Sequence, residues 1–271
     1  MVRHRHLPDG HPVTKPAKTT APAVETIATD VGGVLYYDEP FELAWLQAVL
    51  ELAGEADPTL TIERFTAEMR RFYLQRASAT ASPGLYSPAG AHAWTSVRRR
   101  WADLAQLVPG AHAALATLAE HRPVCVVANQ PPECEEVLRA SGATEHLALI
   151  ALDTTVGIAK PDPGLLGWAI EQLGWNPATT LMVGDRPDHD AAPAQCLGAH
   201  TALVTPPTGW NAPSGVDPAL LVAYEKVRAE RLEVRRHPAA ADHSLHAVDL
   251  ADLATRLTDR APARRRTEVV R

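Results

Sequence analysis

Short apolar runs alternate with amphipathic stretches over much of the chain. Pro123 to Ala128 (PVCVVA) is continuously apolar and rich in β-branched residues, which predicts a strand covered on both faces. Leu147 to Leu152 (LALIAL), Thr180 to Val183 (TLMV) and Thr201 to Val204 repeat that signature. An earlier run, Val24 to Asp30 (VETIATD), stops at Gly32-Gly33 and predicts the first strand. Between these runs the period changes. Leu165, Leu166, Ala169, Ile170 and Leu173 share one helical face. Val137 and Leu138 belong to a helix opened by Pro131-Pro132-Glu133, with proline and acid in its first turn. Apolar strands alternating with amphipathic helices predict an α/β fold, a parallel sheet with helices on both faces.

One stretch breaks the alternation. From Asp38 to about Leu115 the pattern is helical only, with runs at Phe41 to Leu52, Ile62 to Arg76 and Ala91 to Leu107. A helical insert directly after the first strand predicts a cap over the C-terminal edge of the sheet. Its aromatic and basic residues (Trp45, Arg70, Arg71, Tyr73, Arg76, Trp94 and Arg98) include candidates for lining a substrate cavity. A charged helix over Pro218 to Val234 reads as a late insertion before a terminal segment, Ser244 to Leu257. The expected organisation is a tail over 1–23, a core over 24–37 and 116–258, a cap over 38–115, and a basic tail over 259–271.

Composition narrows the function classes. With 26 basic against 32 acidic residues, the net charge is −6, which argues against a nucleic-acid partner. No run approaches the roughly 20 apolar residues of a membrane span, so no membrane partner is expected. His4, His6 and His11 lie in a Pro- and Lys-containing tail, and Arg264, Arg265 and Arg266 in a terminal one; both read as solvated ends. Cys125, Cys134 and Cys196 form no disulfide framework and are expected to be buried in a cytoplasmic protein. Oligomeric state is left open.

Candidate chemistry gathers at the strand ends, where open α/β sheets bind ligands. The first strand ends at Asp30, the second at Ala128-Asn129, and the strand from Thr180 at Gly184-Asp185, with Asp190 beyond; Lys160 lies in the loop Gly157 to Pro163. Three carboxylates in one crevice repel, and a hard divalent cation relieves this. Mg²⁺ suits such a site, because it takes a few carboxylate oxygens together with water and substrate phosphate.

The runs TDVGGVL (Thr29 to Leu35), VVANQP (Val126 to Pro131), GIAKPDP (Gly157 to Pro163) and VGDRPDHD (Val183 to Asp190) resemble the four ordered motifs of the haloacid dehalogenase-like hydrolase superfamily. The resemblance spans about Val24 to Val204, and the helical insert takes the position of that superfamily's first-type cap. It implies a Rossmann-like core and a Mg²⁺-dependent hydrolase of a small phosphorylated substrate: a phosphate monoester, acyl phosphate or diphosphate. On that resemblance Asp30 is the nucleophile that forms an aspartyl-phosphate. Lys160 neutralises charge between Asp30 and the phosphoryl group. Metal ligation falls to Asp30, the Gly32 carbonyl, Asp185 and Asp190, and phosphoryl contact to Ala128, Asn129 and Lys160.

Two residues depart from the pattern. Gly32 stands where phosphatases of this group carry a second Asp that acts as general acid and base, help typically worth ~10²–10⁴-fold. Ala128 stands where a Ser or Thr bonds the phosphoryl group, a loss of about 3 kcal/mol in comparable oxyanion sites. Several readings follow. The substrate has a good leaving group; or Asp38, His92 or Tyr37 from the cap supplies the proton; or a diphosphate is gripped for lyase or cyclase chemistry without attack on phosphorus. A catalytically silent binding or scaffold protein is a further alternative. A dehalogenase also lacks the second Asp, but it needs no metal, and the Asp185/Asp190 pair speaks against it. If only the acid is missing, Gly32→Asp is expected to raise turnover of poor leaving groups.

Overall fold

The computed structural model describes residues 24–76, 85–235 and 244–259. Its strands are β1 (Thr26–Thr29), β2 (Val124–Ala128), β3 (Leu149–Leu152), β4 (Thr180–Gly184), β5 (His200–Val204) and β6 (Leu245–Ala247). They form one sheet in the order β3-β2-β1-β4-β5-β6, and every pairing is parallel. Three of these strands lie within the predicted runs, and β4 and β5 each extend one residue beyond theirs. The sixth is a short edge strand whose first two residues are exposed, so it carries little apolar signal.

The helices are α1 (Glu39–Ala56), α2 (Ile62–Arg76), α3 (Ala89–Arg99), α4 (Trp101–Leu104), α5 (Ala111–His121), α6 (Glu133–Ala140), α7 (Asp153–Val156), α8 (Gly164–Leu173), α9 (Ala192–Cys196), α10 (Pro218–Arg235) and α11 (Leu250–Thr258). The two-residue period of β2 explains the layering. Val124, Val126 and Ala128 face one way, into a core shared with Leu115 and Leu118 of α5 and Leu253 of α11. Cys125 and Val127 face the other way, against Leu165, Ala169 and Ile170 of α8. Helices therefore cover both faces, which gives the expected Rossmann-like architecture.

The chain leaves this core through a narrow neck. The Tyr37 N–H donates to the Gln106 carbonyl and the Val108 N–H to the Leu35 carbonyl, so the outgoing and returning strands pair beside an antiparallel Tyr36–Leu107 bridge. Beyond the neck, α5 packs with α11 on the sheet, so the core resumes before the expected limit near residue 115.

Helix α10 differs more sharply from the sequence expectation. It was grouped with the core, yet its buried residues Leu220, Ala223, Tyr224 and Val227 share a cluster with Leu43 and Leu46 of α1 and Phe65 and Met69 of α2. Arg228 Nε donates to Glu39 Oε1 at 2.6 Å, and Arg231 Nη1 to Glu42 Oε1 at 2.6 Å. The guanidinium of Arg231 also lies 4.7 Å from the centroid of the Tyr73 ring. This helix looked charged because its arginines meet acids of α1 rather than water.

Cys125 and Cys134 are buried as expected, but Cys196, at the end of α9, is exposed. No helix among the described residues is long and apolar enough to cross a membrane. The histidines of the first tail and the arginines of the last lie outside the described residues.

The docking of α10 has a direct test. Leu220 is fully buried and Val222 is about half exposed. Leu220→Ala is expected to cost about 2–5 kcal/mol in urea unfolding, and Val222→Ala less than about 0.5 kcal/mol. Equal effects would mean that α10 does not pack on the cap helices.

Candidate active site

Strand order sets the place of the site. The chain runs from β1 outward to β2 and β3, then returns to β4 on the other side of β1. Such a reversal opens a crevice beyond the carboxyl ends of the two central strands. Thr29 pairs with Val183, and the Asp30 N–H donates to the Val183 carbonyl at 2.8 Å, so Asp30 emerges beside Gly184-Asp185.

Two glycines make the crevice possible. A Cβ on Gly184 would lie 2.1 Å from Asp190 Oδ2, and one on Gly33, whose φ is +68°, would lie 2.7 Å from Asp185 Cγ. Both glycines thus let a carboxylate approach the backbone. Asp190 is carried back toward β4 by a π-helical turn, Pro187–Ala191, in which the Arg186 N–H donates to Asp190 Oδ2 at 2.9 Å. One oxygen each from Asp30, Asp185 and Asp190 lie within 4.8 Å of one another.

Lys160 ties this group together. Its Nζ lies 3.0 Å from Asp30 Oδ1 and 2.6 Å from Asp190 Oδ1, and all three side chains are nearly inaccessible. The Val31 N–H donates to the same Asp30 Oδ1 at 2.8 Å. Both donors converge on Oδ1, leaving Oδ2 without a donor among the described residues. Asn129 positions the lysine. Its Oδ1 accepts from the Lys160 N–H and its Nδ2 donates to the Lys160 carbonyl, each at 2.8 Å. The sequence reading gave Asn129 to the phosphoryl group; in the structure, both ends of its amide clamp the loop. Ala128 is fully buried within the sheet core, where its methyl meets apolar neighbours.

The electrostatics follow from this burial. Desolvation pushes the Asp30 carboxyl up to about 7; Lys160 pulls it down, while Asp190 and Asp185 push it further up. For Lys160, burial opposes the charge, but Asp190 and Asp30 outweigh it and hold the ammonium above its ordinary range. One ammonium cannot balance three carboxylates. The next cation, Arg186, is held by Asp188 at 2.7 Å. Hard oxygen donors with surplus negative charge fit Mg²⁺.

The Gly32 position resolves part of the puzzle posed by its missing side chain. A Cβ there would lie 2.3 Å from Asp38 Oδ1 and 2.8 Å from Asp38 Cγ. The Asp38 carboxyl therefore fills the space into which residue 32 would project. Burial, and then the fields of Asp185, Glu42 and Asp30, hold that carboxyl well above the usual carboxylate range. The other two candidates lie elsewhere. The Tyr37 hydroxyl donates to the Thr208 carbonyl at 2.9 Å, and His92 is exposed. A simple gain from Gly32→Asp is accordingly no longer expected, because two carboxyls would compete for one space.

A cavity of about 510 Å³ adjoins this point, between cap and core. Trp45, Tyr73 and Trp94, singled out from sequence, line it; Arg70, Arg71 and Arg98 do not. These arginines pair with Glu230, Glu68 and Glu133 respectively. The Arg76 side chain lies outside the described residues. Phe41, Glu42, Phe72, Trp101 and Gln130 also line the cavity and were missed. Cap helices offer many apolar residues, and no local motif marks those that face inward.

Residues 24–198 match the description of a haloacid dehalogenase-like hydrolase. The chain belongs to that family. Among relatives of this chain, a phosphoserine phosphatase from Thermus thermophilus is 33% identical over 116 residues, covering 42% of this chain and 45% of that protein. The pyrimidine 5'-nucleotidase YjjG of Escherichia coli is 29% identical over 92 residues, covering 33% and 40%. The chain thus spans less than half the length of these relatives. Among solved structures, a phosphatase of the same superfamily from Thermococcus onnurineus superposes with a TM-score of 0.57 at 18% identity, covering 70% of this chain and 92% of that one. At that identity the likeness speaks for the fold.

The raised Asp30 carboxyl gives a prediction for this hydrolase. The folded chain binds more protons at Asp30 than the unfolded chain between about pH 4 and pH 7. Ion-free stability therefore falls as pH rises through that window. Asp30→Asn is expected to exceed the parent in stability by on the order of 2 kcal/mol near pH 8 and to match it near pH 4. Urea unfolding in chelator at both pH values measures this; equal stability near pH 8 would remove the raised carboxyl from the account.

Proposed function

We propose that this family member is a Mg²⁺-dependent phosphatase acting on a small phosphate ester through an aspartyl-phosphate on Asp30. The observation that carries the proposal is the Lys160 bridge to Asp30 and Asp190 in a crevice with three converging carboxylates. Relatives named for phosphoserine and nucleotide dephosphorylation support the same reaction class.

Asp30, Asp185, Asp190 and the Gly32 carbonyl would hold the ion. When bound, Mg²⁺ supplies positive charge to the phosphoryl oxygens and offsets the acidic cluster. The protein's part is orientation. Lys160 and the Val31 N–H grip Oδ1 of Asp30, so Oδ2 is the oxygen left to attack phosphorus. Lys160, fixed by the Asn129 clamp, keeps its positive charge beside the forming bond, which is electrostatic preorganisation. Attack breaks the bond from phosphorus to the ester oxygen and leaves an alkoxide that needs a proton. Asp38, occupying the space beside Gly32, is the carboxyl placed to donate it and then to take a proton from the water that cleaves the aspartyl-phosphate.

Asp30→Asn is expected to reduce phosphate release by about 10³-fold or more, and chelator to abolish it until Mg²⁺ is restored. An unchanged rate in Asp30→Asn would sink the nucleophile assignment.

Asp38 is tested by leaving group. Asp38→Asn is expected to lower kcat/KM for alkyl phosphates by about 10²-fold and for p-nitrophenyl phosphate by less than about fivefold, because kcat/KM reports the attack step and the aryl oxide leaves without a proton; kcat falls for both esters, since they share the water step. Gly32→Asp alone is expected to bring no gain, whereas Gly32→Asp combined with Asp38→Ala recovers alkyl phosphate turnover. Equal losses of kcat/KM on both esters in Asp38→Asn would assign Asp38 to structure instead.

A further inference from the structure

The cavity beside Asp38 is rich in aromatic rings. Phe41, Trp45, Phe72, Tyr73, Trp94 and Trp101 supply half of the residues that line it. The rings brace one another. Phe41 stacks on Trp101 with centroids 4.0 Å apart, and Trp94 meets Trp101 edge-on at 5.7 Å. Trp45 lies 5.5 Å from Phe72, and its Nε1–H donates to the Gly90 carbonyl at 2.9 Å. Pre-braced aromatic walls lose little freedom when a flat ring is inserted, and ring pairs gain beyond simple area burial.

No cation lines the cavity among the described residues. Its ionisable groups are Asp38, whose carboxyl is held toward the neutral form by burial, and Glu42, which Arg231 pairs. Behind the lining, Arg231 gives Nη1 and Nη2 to Glu42 at 2.6 and 2.9 Å and covers the Tyr73 ring. On the other side, Arg98 is chelated by Glu133. An anionic group entering here would be desolvated beside acids with no cation to receive it, a costly placement. Asn129 and Gln130, at the end of β2, form part of the lining, and Asn129 is bonded to the lysine that grips Asp30. The cavity therefore extends from the reacting centre toward the cap. Its volume falls within the ordinary range for a small-molecule site.

We propose that this cavity receives the alcohol portion of the substrate, and that this alcohol carries a flat apolar ring and no negative charge. The assignment rests on the phosphatase reading for the reaction but, for the substrate class, on aromatic walls that carry no cation among the described residues.

The test compares three primary alkyl esters of similar leaving-group basicity, so that differences report the cavity: 3-phenylpropyl phosphate, propyl phosphate and 3-carboxypropyl phosphate. With Mg²⁺, kcat/KM for the phenylpropyl ester is expected to exceed that of the propyl ester by at least about tenfold and that of the carboxypropyl ester by about a hundredfold. Gln130→Lys, which adds a cation at the lining without removing an aromatic wall, is expected to raise the carboxypropyl-to-phenylpropyl ratio by about tenfold or more. Trp94→Ala is expected to bring the phenylpropyl-to-propyl ratio within about threefold of unity, and Trp94→Phe to restore part of it. Turnover of all three esters without a phenylpropyl preference, or with the carboxypropyl ester preferred, would overturn the proposal and leave the phosphatase reading standing. If no ester releases phosphate, that reading fails instead, and tryptophan quenching by the matching phosphonates decides the cavity. Saturable quenching by 3-phenylpropylphosphonate alone supports the ring site; equal quenching by all three, or by none, overturns it.

Discussion

The structure depends on one buried lysine shared between two carboxylates. Lys160 is nearly inaccessible, and an uncompensated ammonium at that depth would be strongly destabilising. Asp30 and Asp190 make its burial tolerable, and it makes theirs tolerable in turn. The bridge draws together residues from three separate stretches: the end of β1, the loop before α8 and the π-helical turn after β4. Asp185 adds a third acid that this single ammonium does not balance. The arrangement thus leaves a deficit of positive charge, which a divalent cation is suited to fill.

Much of this was legible in the sequence because buried parallel strands leave a loud signal. Short apolar runs that alternate with amphipathic helices point to a sheet flanked by helices, so the strands from β2 to β5 and the α/β class follow from that alternation, and β1 from its run ending at Gly32-Gly33. β6 carried too little burial to register. Helix α10 was visible as a helix, but not as a partner of α1 and α2. It reads as a charged late insertion, and pairing of Arg228 with Glu39 and Arg231 with Glu42 across more than 180 residues has no local trace.

The site divides in the same way. Asp30, Lys160, Asp185 and Asp190 sit at strand ends or in a marked loop, and periodicity locates strand ends well. Asn129 was found for its position but not its role, because clamping Lys160 requires knowing which loop lies opposite. The cavity was only half legible. Its aromatic residues are spread over four helices, and the sequence offered arginines as readily as rings. Only three-dimensional pairing shows that each described arginine among those candidates already has a glutamate.

The relation between cap and core follows from the first turn of α1. Asp38, Glu39 and Glu42 stand together at the helix N-terminus, where the helix dipole favours acids but where their mutual repulsion opposes them. α10 removes much of that repulsion, since Arg228 takes Glu39 and Arg231 takes Glu42, the latter with a hydrogen bond from the Tyr224 hydroxyl. Asp38 has no such guanidinium among the described residues; it faces the cavity and fills the room beside Gly32. Pulling α10 off α1 would break two largely buried ion pairs, and losing one partner of such a pair typically costs about 3–5 kcal/mol. The first turn of α1 is therefore held from within the cap layer, and the space around Gly32 is set by the Asp38 side chain. In this fold a carboxyl six residues further along the chain can stand where a side chain at position 32 would stand, because what matters chemically is the volume it occupies and not its place in the sequence.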